Sequence, residues 1–144
     1  MILYRYAENK DVFDILSLDD ENFFNNFDEN FYLEYIKNQR VIVAENQKNI
    51  VGYILFNQIL DEAEIYKIVV SKDFRKKQIA FKIMEFLLNE LKKNNIKKIF
   101  LEVRKSNIPA INLYKKCGFI EIREIVDYYT NPKEDGIMML KEVV

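Results

Sequence analysis

A glutamate interrupts one of the most apolar segments of the chain. Glu102 lies within Ile-Phe-Leu-Glu-Val (99–103), which otherwise has the composition of a buried strand. Ionised carboxylates are almost never fully buried without a partner or a chemical task. The sequence therefore leaves two interpretations open: the strand ends in a cleft, or Glu102 handles protons. A structural carboxylate that is paired at the end of a strand is the ordinary alternative to a catalytic one.

The chain contains no histidine and a single cysteine, Cys117. The absence of histidine excludes the usual serine–histidine and cysteine–histidine nucleophilic sites and removes the commonest metal ligand. Proton transfer then has to rely on Glu, Asp, Tyr, Lys or the lone cysteine. We expect Cys117 to be a small buried hydrophobic residue rather than a reactive thiol, and we expect no metal site.

The composition predicts one soluble domain that covers residues 1–144. Hydrophobic residues make up 49% and charged residues 31% of the chain, which are ordinary values for a globular protein. The net charge of -1 gives no overall field that would favour nucleic acid or an anionic membrane. No apolar stretch approaches the roughly 20 residues of a membrane span, and the start of the chain lacks a secretory pattern. We therefore expect a cytoplasmic protein; the sequence does not predict its oligomeric state.

Hydrophobic periodicity predicts the element order β-α-α-β-β-β-α-β-α-β-β. The strands are predicted at 2–6, 41–45, 50–59, 62–71, 96–103, 119–126 and 137–144, and the helices at 10–18, 31–38, 76–94 and 108–117. A polar loop is predicted at 19–30. Because a strand, a helix and a strand follow each other over 62–103, we expect a right-handed crossover and parallel pairing there. The predicted fold is α/β (α+β), with a mixed sheet of about seven strands flanked by about four helices.

A basic turn precedes the longest predicted helix, in KIVVSKDFRKKQIAFKIM (67–84). The amides at a helix N-terminus can hold a phosphate or pyrophosphate, and Arg75, Lys76 and Lys77 would add positive charge. On this segment alone, a solvated basic surface is the stronger interpretation. The segment is not a P-loop, because it lacks the glycines of GxxxxGK(S/T).

From Glu62 to Leu140 the sequence resembles the GCN5-related N-acetyltransferases (GNATs). The matching segments are IVVSKDFRKKQIAFKI, LEVRKSNIPAINLYKKCGF and DYYTNPKEDGIMML. RKKQIA corresponds to the family's loop Q/R-x-x-G-x-G/A, and LEVR-x-SN-x-x-A-x-x-LY-x-x-x-GF is a far more specific match. The YY pair followed by ED is similar to the ribosomal-protein-alanine N-acetyltransferase branch, whose members modify a protein N-terminus.

The resemblance implies a binding segment for acetyl-CoA as co-substrate. The pantetheine arm would pair with the strand before the loop, at Ile68, Val69 and Val70. The pyrophosphate would lie on the amides of the loop and the helix start, namely Lys76, Lys77, Gln78, Ile79, Ala80 and Phe81. Asn107 corresponds to the family's side-chain contact with the pantetheine arm. Gln78 replaces the first glycine of the loop, and if this position needs a positive φ, a residue other than glycine costs roughly 1–2 kcal/mol there.

The resemblance also implies direct transfer of acetyl to a free amine. Glu102 corresponds to the glutamate of the LEVR motif and is the expected base, while Tyr114 is the expected acid that returns a proton to the CoA sulfur. The backbone amide of Val70 would polarise the thioester carbonyl. Glu102 would then project into a gap between parallel strands, which is a common place for ligands. For Tyr114, the alternative is a core tyrosine with a satisfied hydroxyl.

By the same resemblance, Tyr128 and Tyr129 would line a groove for the acceptor, a protein or peptide N-terminus with a ribosomal protein as one candidate. A plain role at a strand edge is the alternative for both. The aromatic segment 23–31 is either core packing or one wall of this groove. We expect Asp19, Asp20 and Glu21 to be solvated, or else to attract a basic peptide.

Three functions remain open at this point. The chain is a protein N-terminal acetyltransferase, a GNAT that acetylates a small amine or a lysine, or a catalytically silent module that binds CoA or a partner. Glu102 and Tyr114 favour the first two over the third, while Gln78 is the main argument for the third. The YY pair with ED favours the first over the second.

Overall fold

The strands and helices follow each other in the predicted order. The structure is a computed structural model and describes residues 1–22 and 27–143. The strands are β1 (Ile2–Tyr6), β2 (Val41–Asn46), β3 (Asn49–Ile59), β4 (Glu62–Val70), β5 (Lys98–Arg104), β6 (Ile120–Tyr129) and β7 (Glu134–Glu142). Within the described residues the four α-helices are α1 (Val12–Asn22), α2 (Glu29–Lys37), α3 (Ile79–Lys93) and α4 (Ile108–Lys116). None of these helices is long and apolar enough to cross a membrane.

The strands form one 7-stranded sheet in the order β1-β2-β3-β4-β5-β7-β6. Strand β4 pairs with β5 in parallel, with Glu62 opposite Lys98 and Ile65 opposite Leu101. The pairs β1–β2, β2–β3, β5–β7 and β6–β7 are antiparallel. This mixed sheet with its four helices confirms the predicted fold class and the predicted parallel pairing.

Several predicted boundaries were wrong, and the shifts matter for the site. Helix α1 continues to Asn22, so residues 19–22 are helical although a loop was predicted for them. Helix α3 begins at Ile79, three residues later than predicted, because Gln78 has a positive φ of 62° and cannot be part of a right-handed helix. Strand β6 extends to Tyr129 and β7 begins at Glu134. Residues 23–26 of the predicted loop lie outside the described residues.

The chain divides into two compact units, and the division falls within β3, β4 and α3. The first unit comprises Met1–Phe56 and Lys67–Leu87, and the second comprises Asn57–Tyr66 and Leu88–Val144. In the first unit, apolar residues from α1, α2 and strands β2 to β4 pack into one buried cluster, whose members include Ile15, Ile36, Val43, Leu55 and Val69. This burial supplies the main favourable term for folding of the unit.

The second unit shows the alternation expected of a strand with one buried face. In β5, Ile99, Leu101 and Val103 are buried, while Glu102 between them is half-buried. Because successive side chains of a strand point to opposite faces, Glu102 does not share the buried face of its neighbours. The sheet thereby accommodates the carboxylate without placing it in the apolar core.

Candidate active site

In the first unit, strand β4 ends at the segment that leads into helix α3. The Ser71 amide donates to the Val51 carbonyl (2.8 Å), which is the contact of β3 with the chain just beyond β4. The Arg75 side chain turns back and its Nε donates to the Val70 carbonyl (3.2 Å). Arg75 was predicted to add charge for a phosphate, but in the structure this side chain also binds the end of the strand.

The backbone between Arg75 and Ile79 alternates in handedness. Lys76 has a φ of 64° and Gln78 a φ of 62°, whereas Lys77 between them stays in the ordinary region. Such alternation turns successive amide groups toward one side and forms a concavity that suits anions. The first bond of helix α3 runs from the Lys82 amide to the Gln78 carbonyl (3.0 Å), so the amides of the first turn have no acceptor within the helix.

Gln78, which replaces the first glycine of the family loop, adopts a positive φ. A residue with a side chain costs roughly 1–2 kcal/mol in this conformation, and the loop holds it nevertheless. Lys77 lies beside the concavity, with Nζ 5.1 Å from the centre of the Phe74 ring, and Lys76, Lys77 and Gln78 are all exposed. The amides at the helix start, the two lysines and the alternating backbone are compatible with the predicted pyrophosphate site.

A glycine allows helix α3 to lie close to β3 and β4 at this place. A side chain on Gly52 would come within 3.0 Å of the Val69 carbonyl oxygen and 3.1 Å of the Ile83 side chain. Backbone oxygen yields less readily than a flexible side chain, so a larger residue at this position would force the strand or the helix to shift. Gly52 thus permits the close approach of Ile83 on helix α3 to Val69 and Val70, two of the predicted cofactor residues.

In the second unit, Glu102 carries a carboxyl group whose pKa is raised above its ordinary value of 4.5. Partial burial is the main cause, and the like charge of Glu64 adds to it, while the charge of Arg123 opposes it. Both carboxylates stand on the same face of the sheet, because Glu64 is opposite Phe100 in the β4–β5 register and Glu102 follows Phe100 by two residues. Burial and a like charge together make Glu102 a stronger base than an ordinary surface glutamate.

Sequence reasoning missed Glu64, although the signal was present. Glu62, Glu64 and Tyr66 alternate with Ala63 and Ile65, which are buried. A carboxylate in the middle of a strand is the same feature that singled out Glu102. Strand β5 was also predicted to pair in parallel with the strand that carries Glu64. In both strands the buried apolar residues alternate with the glutamates, so this period of two could have placed Glu64 and Glu102 on one face.

Tyr114 lies on helix α4 and only 7% of it is exposed. Its ring meets the Phe119 ring edge-on, at 6.1 Å between centres. The pKa of Tyr114 is raised, chiefly by burial and further by Tyr129 and Cys117. The phenol therefore stays protonated throughout the physiological range, which suits a proton donor. Both the catalytic and the core interpretation of Tyr114 are compatible with this burial.

Tyr128 and Tyr129 end strand β6, with their rings perpendicular and 4.9 Å apart. Tyr128 is 47% exposed. Burial raises the pKa of Tyr129 to about 12, with contributions from Tyr128 and from the charge of Glu102. Burial and the charges of Glu102 and Glu64 raise the pKa of Tyr128 as well. The tyrosine pair is thus within electrostatic reach of both carboxylates.

Asn107 is the N-cap of helix α4. Its side-chain oxygen accepts from the Ala110 amide at 3.3 Å. The oxygen is therefore engaged by the helix, and a contact with a pantetheine arm would have to come from the side-chain amide nitrogen. Cys117, expected to be buried, is intermediate in exposure and is the C-cap residue of the same helix.

Asp19 departs most clearly from its prediction. It was expected to be solvated, but it is fully buried (0% exposed) in the first unit, because helix α1 extends past it. Its Oδ1 accepts from Lys67 Nζ at 2.6 Å and from the Tyr53 hydroxyl at 3.0 Å. The Tyr53 hydroxyl lies 3.0 Å from that of Tyr32. Asp19 thus belongs to a buried polar network and does not offer charge to a peptide, whereas Asp20 is exposed as predicted.

The structure groups the predicted residues into two sets, one in each unit. The first unit holds the predicted cofactor residues Ile68–Val70 and Lys76–Phe81 around the start of helix α3. In the second unit, the charge of Glu102 raises the pKa of Tyr128 and of Tyr129, and Tyr129 in turn raises the pKa of Tyr114. The second set contains the predicted base, the predicted proton donor and the two predicted acceptor-groove tyrosines.

Comparison with known proteins agrees with these observations. The model of the acetyltransferase (GNAT) family matches residues 9–119. The ribosomal protein bS18-alanine N-acetyltransferase of Escherichia coli is 39% identical over 83 residues, which are 56% of each chain. An N-alpha-acetyltransferase of Sulfurisphaera tokodaii is 32% identical over 110 residues, covering 67% of this chain and 65% of the relative. The chain thus spans little more than half the length of the first of these relatives.

Among solved structures, the ribosomal-protein-S18-alanine N-acetyltransferase of Escherichia coli has a similar fold. Its TM-score is 0.89 at 25% sequence identity, and the match covers 99% of this chain and 94% of that one. This confirms the family resemblance that the LEVR and YY segments predicted. The family match extends over most of the chain and includes Glu102, Tyr114 and the loop at Gln78. The chain belongs to the acetyltransferase (GNAT) family.

Proposed function

We propose that the chain is an acetyl-CoA-dependent N-acetyltransferase that acetylates the α-amine of a protein N-terminus. The observation that carries this proposal is the state of Glu102. It is a half-buried carboxylate with a raised pKa, on the same sheet face as Glu64, and its charge reaches Tyr128 and Tyr129. Perturbed carboxylates of this kind are concentrated at catalytic sites.

The energetics of proton removal favour an α-amine over a lysine. An α-amine has a pKa of about 7.7–8.0 and a lysine about 10.4, so deprotonation at pH 7 costs about 1 kcal/mol for the first and about 4 to 5 kcal/mol for the second. A single carboxylate, acting directly or through a water, can meet the smaller cost. We assign Glu102 this task.

Tyr114 is the residue that we assign to the opposite proton transfer. Its hydroxyl remains protonated because burial raises its pKa, so it can donate to a developing thiolate. A phenolate would be costly in this buried position, and the tyrosine therefore has to regain a proton quickly.

Acetyl-CoA, when bound, supplies an acetyl group activated as a thioester. The residues that would hold it are Ile68, Val69 and Val70 through their backbone, and the turn from Lys76 to Phe81 through its amides. Asn107 would add a side-chain contact. The alternating φ values at Lys76 and Gln78 support this assignment, because they shape the loop for an anion despite the missing glycine.

The names of the relatives suggest which acceptor to try first. The Escherichia coli relative is named for the alanine of ribosomal protein bS18, and we infer that this chain acts on a ribosomal protein N-terminus. Tyr128 and Tyr129 would line the acceptor groove. Tyr128 is 47% exposed, which suits a side chain that an extended peptide can contact.

The proposal is tested by intact-mass analysis of peptides incubated with the protein and acetyl-CoA. The panel contains free and blocked N-termini, with and without an internal lysine, starting with Ala, Ser, Gly or Met. A mass gain on free N-termini only is the expected result. A gain on blocked peptides that contain lysine would contradict the choice of acceptor.

The Glu102→Gln variant tests the base in the same assay, with Glu142→Gln as the matched control. Glu142 is an exposed glutamate at the end of β7 in the same unit. We expect Glu102→Gln to lose most activity and Glu142→Gln to keep it. If the parent protein acetylates no peptide while acetyl-CoA still binds, two alternatives are left: an enzyme with a small amine as acceptor, or a silent CoA-binding module.

A further inference from the structure

The side chain of Arg104, the last residue of β5, binds the turn that connects β6 with β7. Nη1 donates to the Pro132 carbonyl at 2.9 Å, and Nη2 donates to the Thr130 carbonyl at 3.1 Å. Nη1 also donates to Glu134 Oε1 at 3.3 Å. One guanidinium thus holds two backbone groups of the turn and the first side chain of β7.

The same guanidinium lies over the ring of Tyr129, with Cζ 4.5 Å from the ring centre. A planar cation over an aromatic face is attracted by the negative potential of the ring. Tyr129 is therefore held from one side by Arg104 and packs edge-on against Tyr128 on another. The position of the tyrosine ring depends on the guanidinium and on the turn that it organises.

The acidic pair Glu134 and Asp135 completes this arrangement. Glu134 uses its second oxygen to accept from the Ser106 amide at 2.7 Å. The Asp135 side chain accepts from the Asp127 amide at 2.8 Å, and its carbonyl accepts from the Lys105 amide at 3.1 Å. In the sequence, the ED pair was only part of the family resemblance. In the structure, its hydrogen bonds connect the turn with the segment that follows β5.

The ion pair of Arg104 with Glu134 is less exposed than the neighbouring ion pair. The side chains of Arg104 and Glu134 are 29% and 20% exposed. Those of Lys105 and Glu124, which form the next ion pair along the chain at 2.9 Å, are 57% and 41% exposed. Exposed pairs contribute little to structure, whereas a forked guanidinium that is partly shielded fixes geometry.

Arg104 also stands on the same strand face as Glu102, two residues earlier. The charges of both residues act on the Tyr129 hydroxyl, with Glu102 raising and Arg104 lowering its pKa. The ring of Tyr129 therefore lies within reach of the carboxylate that we assign as the base. An error in the placement of this ring would disturb the site without removing any reacting group.

We propose that Arg104 is a positioning residue of the acceptor site, which holds Tyr129 and the turn 130–134 in the place where they receive the acceptor. This inference rests on the proposed function. Arg104 is not assigned contact with the reacting atoms. Its fork and its stacking on Tyr129 cannot both be reproduced by lysine, whose ammonium is a point charge, so Arg104→Lys is the informative substitution.

The first test uses proteolysis and does not depend on activity. Lys133 lies in the turn, and its side chain is 74% exposed, so trypsin can attack the bond after it whenever the turn opens. Cleavage of a folded protein follows the population of the open form. We expect initial cleavage after Lys133 to be about tenfold faster in Arg104→Lys than in the parent protein, for a tenfold larger open population. Lys105→Gln, which removes the exposed neighbouring pair, should leave cleavage unchanged.

The second test measures steady-state kinetics with an Ala-initiated peptide that has a free N-terminus. We expect Arg104→Lys to raise the KM for the peptide about tenfold, with little change in kcat or in the KM for acetyl-CoA. A misplaced Tyr129 would weaken peptide binding equally in the ground state and in the transition state, which raises KM and leaves kcat unchanged. Lys105→Gln should keep all three parameters. Glu134→Gln keeps the backbone contacts of Arg104 and should show a smaller rise in the peptide KM.

The outcomes separate the two parts of the inference. Faster cleavage with an unchanged peptide KM overturns the acceptor role, because the turn would then be loose without consequence. Unchanged cleavage overturns the positioning role. A fall in kcat together with rises in both KM values, also in Glu134→Gln, would mean general loss of structure and would overturn the proposal. If the parent protein acetylates no peptide, the proposed function fails and the acceptor role with it, while proteolysis still decides whether Arg104 holds the turn.

Discussion

Each unit of this protein contains a carboxylate close to tyrosine side chains, but the two carboxylates differ in burial and in the charges around them. Asp19 in the first unit is fully buried, bound to Lys67 at 2.6 Å and to the Tyr53 hydroxyl at 3.0 Å. Glu102 in the second unit is half-buried, and the charges that act on it are the like charge of Glu64 and the opposing charge of Arg123. One carboxylate is paired with a cation in the interior, and the other faces a second carboxylate.

The difference distinguishes a structural carboxylate from a chemical one. A buried charge that is paired and hydrogen-bonded stabilises the arrangement around it only as long as the pair is complete. A carboxylate that loses solvent and faces another negative charge holds its proton more tightly, which is useful for proton transfer. Burial alone therefore does not distinguish a structural carboxylate from one that transfers protons; the charge of the neighbouring group does.

The largest effect that we expect comes from breaking the pair in the first unit. Lys67→Met removes the described cation that pairs with the buried Asp19 carboxylate. Removal of one partner of a buried pair costs about 3–5 kcal/mol of unfolding free energy, which urea denaturation measures. Lys115→Met is the matched control, because the Lys115–Glu121 pair (2.9 Å) is 52% and 43% exposed and should contribute no more than about 1 kcal/mol.

The double variant Lys67→Met with Asp19→Asn tests the physical reason. Without a buried charge, most of the lost stability should return, and the Asn oxygen can still accept from Tyr53. A single variant as stable as the parent protein would show that Asp19 is not held by Lys67, and the contrast with Glu102 would then fail.

Glu102→Gln should reduce kcat by about 100-fold, at the low end of what general base catalysis contributes (about 10² to 10⁴). Peptide acetylation at pH 7.5 measures this loss. Because glutamine keeps the volume of glutamate, the change removes the base and leaves the packing intact. Activity above half of the parent value would refute the assignment of Glu102 as the base.

The same variant makes a prediction for stability with the opposite sign from Lys67→Met. The pKa of Glu102 is raised in the folded protein, so between the ordinary value of 4.5 and the raised one the folded state binds more protons than the unfolded state. Stability then falls as the pH rises through this interval. Glu102→Gln removes this term, and its unfolding free energy at pH 7 should equal or exceed that of the parent protein.

A smaller effect concerns the backbone of the first unit. Gln78→Gly removes the cost of a side chain at a φ of 62°, roughly 1–2 kcal/mol, but adds about 0.5–1 kcal/mol of entropy to the unfolded chain. We expect a net gain of about 0.5–1 kcal/mol in unfolding free energy and tighter binding of acetyl-CoA by calorimetry. Gln47→Gly, at a φ of 49° in the β2–β3 turn, is the control that should stabilise the protein without tighter binding.

The order of elements was predictable because hydrophobic periods and turn residues are local properties of the chain. The candidate base was predictable for the same reason, since Glu102 breaks a local apolar run. Tyr114, the tyrosine pair and the cofactor loop came from the family resemblance rather than from periodicity. The partners of Asp19 could not be predicted from the sequence. Lys67 lies 48 residues away along the chain, and no local pattern indicates such a pairing.

The contacts of Arg104 show a second limit. Its partners are mainly the carbonyls of Thr130 and Pro132, and every residue has a carbonyl, so no residue type marks the site. The φ of Gln78 is similar, because glutamine at that position argues against the conformation that it in fact adopts. Side-chain roles that depend on backbone geometry require the structure.

The smallest predicted effect tests how the second unit tunes its base. Glu64→Gln removes the like charge that adds to the raised pKa of Glu102, so the acid limb of kcat/KM against pH should move to lower pH. At pH 5 the deprotonated fraction of Glu102 then increases, and we expect a gain of about twofold in kcat/KM relative to the parent protein. Glu62→Gln on the same strand is the control and should leave the limb in place. A limb that moves to higher pH, or not at all, would mean that Glu64 does not act on the base, and burial alone would then account for the difference between Glu102 and Asp19.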